Sequence, residues 1–407
     1  MSNVSILQCV ACGKTYSRDS ATLWCEVCGP TGTLDVLYDW KAARAGVDRD
    51  KGQRGIWRWR AILPVEEQGP RAPLEIGPTP LVRATRKRPL GPLTRAIVKD
   101  EGRNPTASFK DRATAVVVAR ALERGSKGIL CASTGNAASS LAGLTAACGI
   151  PSIILVPKAA PRPKLAQLMI YGAKLVPVDG VYDDAFDLSM EAAPALGYDL
   201  RSTGVNPYCG EGKKTCALEL AEQLDYQLPE WVAVSVGDGC IIGGLAKGFS
   251  DLKNMGLIGR VPKLVGVQAA GSAALAEAAA RGGEVKAVSG KTLADSISVC
   301  IPRDAKKALR AVKESGGRWV TVSDDEILEA MKLLARSLGV FAEPAGATSV
   351  AGLLRMARDG VLDADASCVA ISTGSGLKDA ESAFKAAGAV PEPIPPKLEA
   401  LKARLQA

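Results

Sequence analysis

The sequence contains no histidine among its 407 residues. This absence excludes Ser-His-Asp and Cys-His catalytic arrangements, histidine-ligated metals and imidazole proton shuttles. Acid–base chemistry in this chain must therefore use lysine, carboxylates, tyrosine, cysteine or groups of the substrate itself.

Aromatic residues are also scarce, at 4% of the chain, so few side chains are available to stack on nucleic-acid bases. The formal net charge is +8, but lysine and arginine are spread along the chain instead of forming one basic patch. We therefore expect no nucleic-acid partner, and we attribute the charge to solvated surfaces and to small ligands that carry phosphate. The 47% hydrophobic content is typical of a globular enzyme with two or more domains.

Long apolar runs are missing as well. No stretch approaches the roughly 18 to 20 apolar residues that a membrane span needs, and the start, MSNVSILQCVACGK, lacks the regions of a signal peptide. Beyond the first thirty residues the cysteines occur singly in apolar surroundings, as reduced core thiols do. We expect a cytoplasmic protein without a membrane partner.

Four cysteines near the start form two CxxC pairs, Cys9 with Cys12 and Cys25 with Cys28. This spacing predicts a zinc ribbon with four thiolate ligands, in which the metal is structural because no coordination position stays open. The alternatives are two disulfides or a redox-active CxxC. Zinc is favoured because there is no secretory context and a glycine follows each second cysteine. We expect loss of this metal to leave the active site unaffected.

From residue 81 onward, short apolar runs alternate with helical patterns. Strands are predicted near 128–133, 151–157, 173–178, 231–236, 263–269 and 367–372. This alternation predicts a doubly wound α/β fold. In such sheets ligands bind at the carboxyl ends of the strands, so the loops that follow them are the places to search for a site.

The segment NPTASFKDRATA places Lys110 at the start of a predicted helix. The positive end of a helix dipole disfavours a cation and lowers the affinity of a lysine for its proton. Lys110 is therefore a candidate amine nucleophile.

Four strand-end loops carry further candidates. Ser133, Thr134, Gly135 and Asn136 follow one strand and form a possible nest for a carboxylate, although Asn136 could be a plain N-cap. In SVGDGCIIGG, Gly237 and Gly239 allow the backbone to approach a phosphate.

Glu343 precedes Pro344 at a helix start, where it could also be an ordinary N-terminal acid, and Thr373 follows the last strand. An amine, a carboxylate nest, a phosphate loop and a hydroxyl that could face a ring nitrogen are what pyridoxal 5'-phosphate requires.

The ordered motifs NPTASFKDR, STGNAA, NPYCGEGKKT, VGDG, FAEPAGA and TGSGLKD resemble those of the threonine synthases, within the fold type II pyridoxal-phosphate enzymes. The resemblance covers about 300 residues and implies two doubly wound α/β domains of the tryptophan synthase β-like architecture, preceded by the zinc ribbon. We expect a ribbon over 1–38 and a linker with an N-terminal arm over 39–80. The large cofactor-binding domain would take 81–124 and 206–387, the smaller mobile domain 125–205, and the tail helix 388–407.

By resemblance, Lys110 is the catalytic residue and covalent anchor of the cofactor. The implied cofactor-binding residues are Lys110, Phe109, Asn136, Gly237, Asp238, Gly239, Cys240, Ile241, Glu343 and Thr373. The implied substrate-binding residues are Ser108, Ser133, Thr134, Asn136, Ala137, Asn206 and Cys209. The implied reaction converts O-phosphohomoserine and water to threonine and phosphate in a homodimeric enzyme.

The substrate motif departs from the family pattern, in which Asn, Ser and Arg hold the substrate phosphate. Their positions carry Thr203, Gly204 and Cys209, and Lys213, Lys214 or Arg303 are candidate replacements for the lost cation. Two alternatives therefore stay open: β-replacement or β-elimination on O-phosphoserine or a related amino acid, as in cysteate synthase or serine/threonine dehydratase, and a non-catalytic zinc-ribbon binding protein.

Overall fold

The fold begins with a small antiparallel sheet in a computed structural model that describes residues 3–20, 22–160 and 162–406. Its strands are β1 (Val4–Cys9), β2 (Thr15–Ser17), β3 (Trp24–Cys25) and β4 (Gly29–Tyr38), in the order β2-β1-β4-β3. The two CxxC pairs lie at the ends of these short strands.

Residues 39–80, expected to be a linker and arm, contain a helix, α1 (Trp40–Arg49), and a 3-10 helix, Gly55–Ile62. Ile56, Trp59 and Ile62 are each at most 1% exposed and pack into the hydrophobic core. The aromatic segment is therefore a core element, because its apolar side chains fill space between the ribbon and the main body.

The larger sheet has six strands in the order β13-β12-β11-β14-β6-β5. These are β5 (Leu81–Arg83), β6 (Ile97–Asp100), β11 (Trp231–Ser235), β12 (Lys263–Ala269), β13 (Arg318–Val322) and β14 (Cys368–Ser372). All pairs are parallel except β5 with β6. The central strands are buried on both faces, which explains their continuous apolar sequences.

The smaller sheet is fully parallel, with the order β10-β7-β8-β9. Its strands are β7 (Ile129–Ala132), β8 (Ser152–Pro157), β9 (Lys174–Val178) and β10 (Asp199–Leu200). The helices that accompany the two sheets are α2 (Lys110–Glu123), α3 (Asn136–Cys148), α4 (Arg162–Ile170), α5 (Tyr182–Leu196), α6 (Pro207–Gln223), α7 (Cys240–Asn254), α8 (Ala274–Ala280), α9 (Ala305–Glu314), α10 (Asp324–Leu338), α11 (Pro344–Arg358) and α12 (Ala380–Ala387), and the tail forms α13 (Leu398–Gln406).

All six strands predicted from the sequence are present, and the predicted α/β fold class is confirmed. In the two sheets of the main body, four strands were not predicted: β5, β6, β10 and β13. They are short or, like β13, only partly buried, so their apolar signal is weak. In the tail, α13 has no buried residue. Among the described residues, no helix combines the length and hydropathy that crossing a membrane would require.

Candidate active site

Lys110 begins α2, and the loop before it is fastened to the end of β14. The Phe109 N–H donates to the Thr373 carbonyl at 2.8 Å, and Ser108 forms an isolated bridge with Gly374. Phe109 is fully buried, so the start of the helix is held against the sheet. This arrangement places the Lys110 amine at the carboxyl end of the large sheet, where α/β enzymes bind ligands.

Burial, together with the nearby cations Lys213 and Arg201, lowers the pKa of Lys110 from 10.5 to about 8. The direction agrees with the sequence prediction. Burial and neighbouring charge are its principal causes. A larger fraction of this amine is therefore unprotonated near neutral pH than for an ordinary lysine, which favours nucleophilic attack.

Asn136 and Glu343 meet across the two sheets. Asn136 starts α3 on the small sheet, and its side-chain amide donates to the two Glu343 carboxylate oxygens at 2.8 and 3.1 Å. Glu343 precedes α11 on the large sheet, and burial raises the pKa of its carboxyl group. The same amide lies 3.3 Å from the Ser296 hydroxyl. The fold therefore brings together two residues 207 positions apart.

The Gly-rich loop Gly237–Ile241 leads from β11 into α7. Gly239 has φ of +92°, a conformation that favours glycine, and a Cβ there would lie 2.7 Å from the Ala308 Cβ. A Cβ on Gly237 would lie 2.9 Å from the Ile297 Cα. Among the described residues no side chain caps α7, so the N–H groups of its first turn are available to a phosphate. Burial raises the pKa of the Cys240 thiol, which keeps it neutral.

Lys213 gives an independent sign of an anion beside this loop. Its side chain is fully buried, and the Nζ has no hydrogen-bond partner among the described residues. The stem of Lys213 packs on α7, where a Cβ on Gly244 would lie 2.6 Å from the Lys213 Cβ. A buried unpaired ammonium is costly, and a phosphate would remove that cost. The residues present therefore fit the phosphate of pyridoxal 5'-phosphate.

The end of β14 supplies hydroxyl groups. Thr373 is 6% exposed, and the hydroxyl of its neighbour Ser372 is buried without a hydrogen-bond partner in the described part of the chain. Asp238, in the Gly-rich loop, accepts a hydrogen bond from the Arg303 N–H at 3.1 Å, and burial raises the pKa of Asp238. The Thr373 hydroxyl at the carboxyl end of β14 is neutral, so it is compatible with an uncharged nitrogen in the cofactor ring.

The predicted substrate residues fall into two groups. Ser133, Thr134 and Ala137 are half-buried around the start of α3, with the Ser133 hydroxyl accepting from the Gly135 N–H at 3.2 Å. Asn206 instead caps α6. Its carbonyl oxygen accepts from the Tyr208 N–H at 2.9 Å, and its amide donates to the Leu200 carbonyl at 2.7 Å. Both ends of the Asn206 side chain are therefore engaged with backbone.

Two of the candidate replacement cations are already paired. Lys214 lies 2.5 Å from Glu211 and 2.8 Å from Asp251 in a buried cluster. Arg303 lies 2.5 Å from Asp183. Lys213 stays unpaired, as does one nitrogen of Arg201, a residue that the sequence analysis did not single out.

A buried network of ion pairs surrounds Arg112, two residues after Lys110 on α2. Arg112 donates to both carboxylate oxygens of Glu101, at 2.6 and 2.8 Å, and to Glu219 at 2.9 Å. Lys99 lies 2.5 Å from the same Glu219. The network joins the first turn of α2 to α6 and to β6, so it fixes the helix that carries Lys110.

The four N-terminal cysteines come together, with all their sulfur atoms within 4.8 Å of one another. The Tyr16 hydroxyl donates to the Cys25 sulfur at 3.2 Å. A Cβ on Gly32 would lie 2.5 Å from the Cys28 Cβ, so glycine lets β4 approach the cluster. The cluster is compatible with tetrahedral metal ligation.

The ribbon also contacts the Gly-rich loop. The Thr33 hydroxyl on β4 donates to the Asp304 carboxylate at 3.2 Å, and the Asp304 N–H donates to the Asp238 carbonyl at 2.9 Å. Lys307, one turn into α9, lies 3.1 Å from Asp35. These contacts connect the ribbon with the active site, whereas the sequence analysis expected the two to be independent.

Comparison with known proteins assigns the chain to a family. The profile described as "Pyridoxal-phosphate dependent enzyme" matches residues 72–374. The chain is 41% identical to a threonine synthase of Methanocaldococcus jannaschii, over 93% of this chain and 94% of that one. It is 38% identical to a threonine synthase of Methanosarcina acetivorans, over 92% and 93% of the two chains. The chain belongs to the threonine synthase family.

Solved structures agree on the fold. The processed form of threonine deaminase isoform 2 from Solanum lycopersicum superposes with a TM-score of 0.65 at 24% identity, covering 76% of this chain and 82% of the other. Diaminopropionate ammonia lyase from Escherichia coli gives 0.66 at 17% identity, covering 84% and 91%. The predicted resemblance to the threonine synthases is therefore confirmed, and the chain is a pyridoxal-phosphate-dependent lyase.

Proposed function

We propose that this enzyme converts O-phosphohomoserine and water to threonine and phosphate. The observation that carries the proposal is the 41% identity to a threonine synthase over 93% of the chain. The unpaired cations beside Lys110 add support, because they suit substrates and cofactors that carry phosphate.

When bound, pyridoxal 5'-phosphate supplies an electron-withdrawing ring that acidifies the carbon-bound protons of an amino acid. Lys110 is the group that would attach the cofactor and then move protons, and its lowered pKa suits both tasks. The Gly237–Ile241 loop and Lys213 would hold the cofactor phosphate. Thr373 would face the ring nitrogen, and Asn136 would orient the ring from the opposite sheet.

The loop before α3 would receive the substrate. The N–H groups of Thr134 and Ala137 would bind an α-carboxylate, because these residues lie at the start of a helix and are half-buried, whereas the Ser133 N–H donates to the Leu155 carbonyl and Ser133 would contribute its hydroxyl. Contacts such as Asn136 with Glu343 join this sheet to the larger one across the pocket. We propose that the smaller sheet and its helices, within 125–205, close over the substrate and exclude water until it is needed.

We propose a structural zinc ion at Cys9, Cys12, Cys25 and Cys28, supported by the close approach of the four sulfur atoms. The protein is still predicted to be a homodimer, and light scattering of the purified protein can check this by giving its molar mass.

The function is tested with a panel of substrates: O-phosphohomoserine, O-phosphoserine, O-acetylserine, serine and threonine. We expect equal amounts of phosphate and threonine from O-phosphohomoserine and none from a Lys110→Ala control. Turnover confined to O-phosphoserine would favour β-replacement or β-elimination, and keto acid from serine or threonine would favour a dehydratase. Either result would overturn the proposal.

A further inference from the structure

Arg201 is a buried cation with no countercharge among the residues that the structure describes. It follows β10, is 1% exposed, and forms no ion pair in the described part of the chain. Its Nε lies 3.3 Å from the Thr114 hydroxyl and its Nη1 lies 2.5 Å from the Thr203 hydroxyl. The remaining nitrogen, Nη2, is buried without a hydrogen-bond partner among the described residues. Burying a guanidinium against neutral groups alone is costly, so this position suits a ligand anion.

The position of Arg201 relative to Lys110 follows from their shared neighbour. Thr114 lies one helical turn after Lys110, and its hydroxyl donates to the Lys110 carbonyl at 3.0 Å. Arg201 approaches that same hydroxyl from the small sheet. The positive charge of Arg201 also contributes to the lowered pKa of Lys110, after burial and Lys213. The guanidinium therefore lies close to the first turn of α2, the turn that carries Lys110.

Arg201 also lies in the neighbourhood of Cys209, the position that carries arginine in the family motif. Burial raises the pKa of the Cys131 thiol to about 11, while the Arg201 guanidinium opposes that rise and Cys209 adds to it. Arg201 and Cys209 thus face one thiol on β7. Cys131 and Cys209 lie in one buried cluster, so the Arg201 guanidinium is close to the position where the family motif has arginine.

The two other departures fit this arrangement. The Thr203 hydroxyl accepts a hydrogen bond from Arg201, and its side chain is short enough to fit beside the guanidinium. At the next position a Cβ would lie 2.4 Å from the Arg303 Cβ, so Gly204 leaves room for Arg303. Of the two arginines near this motif, Arg303 is paired with Asp183, so Arg201 is the one that keeps an unpartnered nitrogen among the described residues.

The two unpaired cations serve different anions. Lys213 packs on α7 beside the Gly-rich loop, which suits the cofactor phosphate. Arg201 reaches the pocket from the opposite sheet, through Thr114 and Thr203. We propose that Arg201 binds the phosphate group of the substrate, in place of the arginine that position 209 lacks. This inference rests on the proposed function for the identity of the substrate.

The test uses the holoenzyme and three ligands: O-phosphohomoserine, inorganic phosphate and threonine. For Arg201→Met we expect the KM for O-phosphohomoserine and the inhibition constant of phosphate to rise about ten- to a hundredfold. The inhibition constant of threonine, which has no phosphate, should change less than about twofold, and the cofactor absorbance should be unchanged. Arg201→Lys keeps the charge and should lose less.

Arg120→Met is the matched control. Arg120 also has an unpartnered buried nitrogen, but it lies ten residues after Lys110 on α2, about 15 Å along the helix. We expect wild-type phosphate inhibition in this variant. The double variant Arg201→Met/Cys209→Arg restores an arginine at position 209, where the family motif has one. Its affinity for phosphate should therefore recover at least in part.

Unchanged phosphate affinity in Arg201→Met, or equal losses for threonine and phosphate, would overturn the inference. If Arg201→Met does not fold, Arg201→Lys and the double variant give the same comparison. Failure of the proposed function gives a different result, because the wild-type enzyme would then form no threonine from O-phosphohomoserine. Calorimetry of phosphate binding to wild-type enzyme and to Arg201→Met would still show whether Arg201 binds an anion.

Discussion

Removal of Arg112 is the most demanding test of how the active-site helix is held. Arg112 lies two residues after Lys110 and is the central cation between Glu101 and Glu219, all three being at most 5% exposed. Arg112→Met keeps most of the side-chain volume but leaves two buried carboxylates with Lys99 as their remaining nearby cation. The free energy of unfolding should therefore fall steeply.

The magnitude follows from Glu219. Burial disfavours its charged form, but Arg112 and Lys99 outweigh burial and lower the pKa of Glu219 from 4.5 to about 2. A shift of that size corresponds to about 3 kcal/mol, and loss of one partner from a buried pair costs about 3 to 5 kcal/mol. Because the folded-state pKa of Glu219 is depressed, this stabilisation is present above pH 4.5 and is lost as the pH falls towards 2.

The assay is equilibrium urea unfolding of the holoenzyme, followed by circular dichroism and tryptophan fluorescence at pH 8 and pH 5. In Arg112→Met the two carboxylates lose their cation, so burial raises their pKa values and lets them bind protons at the lower pH. We therefore expect a loss of about 3 to 5 kcal/mol at pH 8 and a smaller loss at pH 5.

Arg281→Met is the control, since Arg281 forms a surface pair with Glu277 in which the side chains are 44% and 45% exposed. That pair should contribute less than about 1 kcal/mol at either pH. A loss below about 1 kcal/mol in Arg112→Met at pH 8, or one that does not shrink at pH 5, would refute the electrostatic reasoning.

Three further predictions concern the cofactor and the metal. Covalent capture of pyridoxal 5'-phosphate by the apoprotein should accelerate about tenfold per pH unit up to about pH 8 and then level off; a flat rate profile from pH 6 to 8 would contradict the lowered pKa of Lys110. Lys213→Met should raise the Kd of pyridoxal 5'-phosphate about ten- to a hundredfold in equilibrium dialysis, but not that of pyridoxal; equal effects on both would exclude a phosphate contact. Metal analysis should find about one zinc per chain, absent in Cys25→Ser. Cys25→Ser should also bind the cofactor a few-fold more weakly, because the ribbon contacts the Gly-rich loop through Asp304. Full metal content in Cys25→Ser would refute the assignment of Cys25 as a zinc ligand.

Residue type and spacing carried the local chemistry. Lys110 at a helix start, the glycines at 237 and 239, and the paired cysteines were visible because each depends on neighbours a few positions away. The central strands were also predictable, since parallel strands buried on both faces leave long apolar runs. Short strands such as β6 were not, because they contain few residues and include the charged Lys99.

Contacts between distant segments could not be predicted. Asn136 meets Glu343 across 207 positions, and Thr33 meets Asp304 across 271. The family pattern drew attention to position 209, but the guanidinium nitrogen without a partner in the described chain belongs to Arg201, which directly follows a two-residue strand of the smaller sheet. No local pattern distinguishes such an arginine from a surface one.

The sequence by itself determined the α/β class and the pyridoxal-phosphate family, and it singled out Lys110 as the predicted anchor, because hydrophobic period and motif spacing are properties of short segments. Only the tertiary structure decided which cations are paired. Lys213 and Lys214 are adjacent in the chain, yet Lys214 lies between two carboxylates and the Lys213 Nζ has no partner in the described chain. The electrostatic role of a charge depends on its desolvation and on its counterions, and both are set by residues that folding brings together from far along the chain.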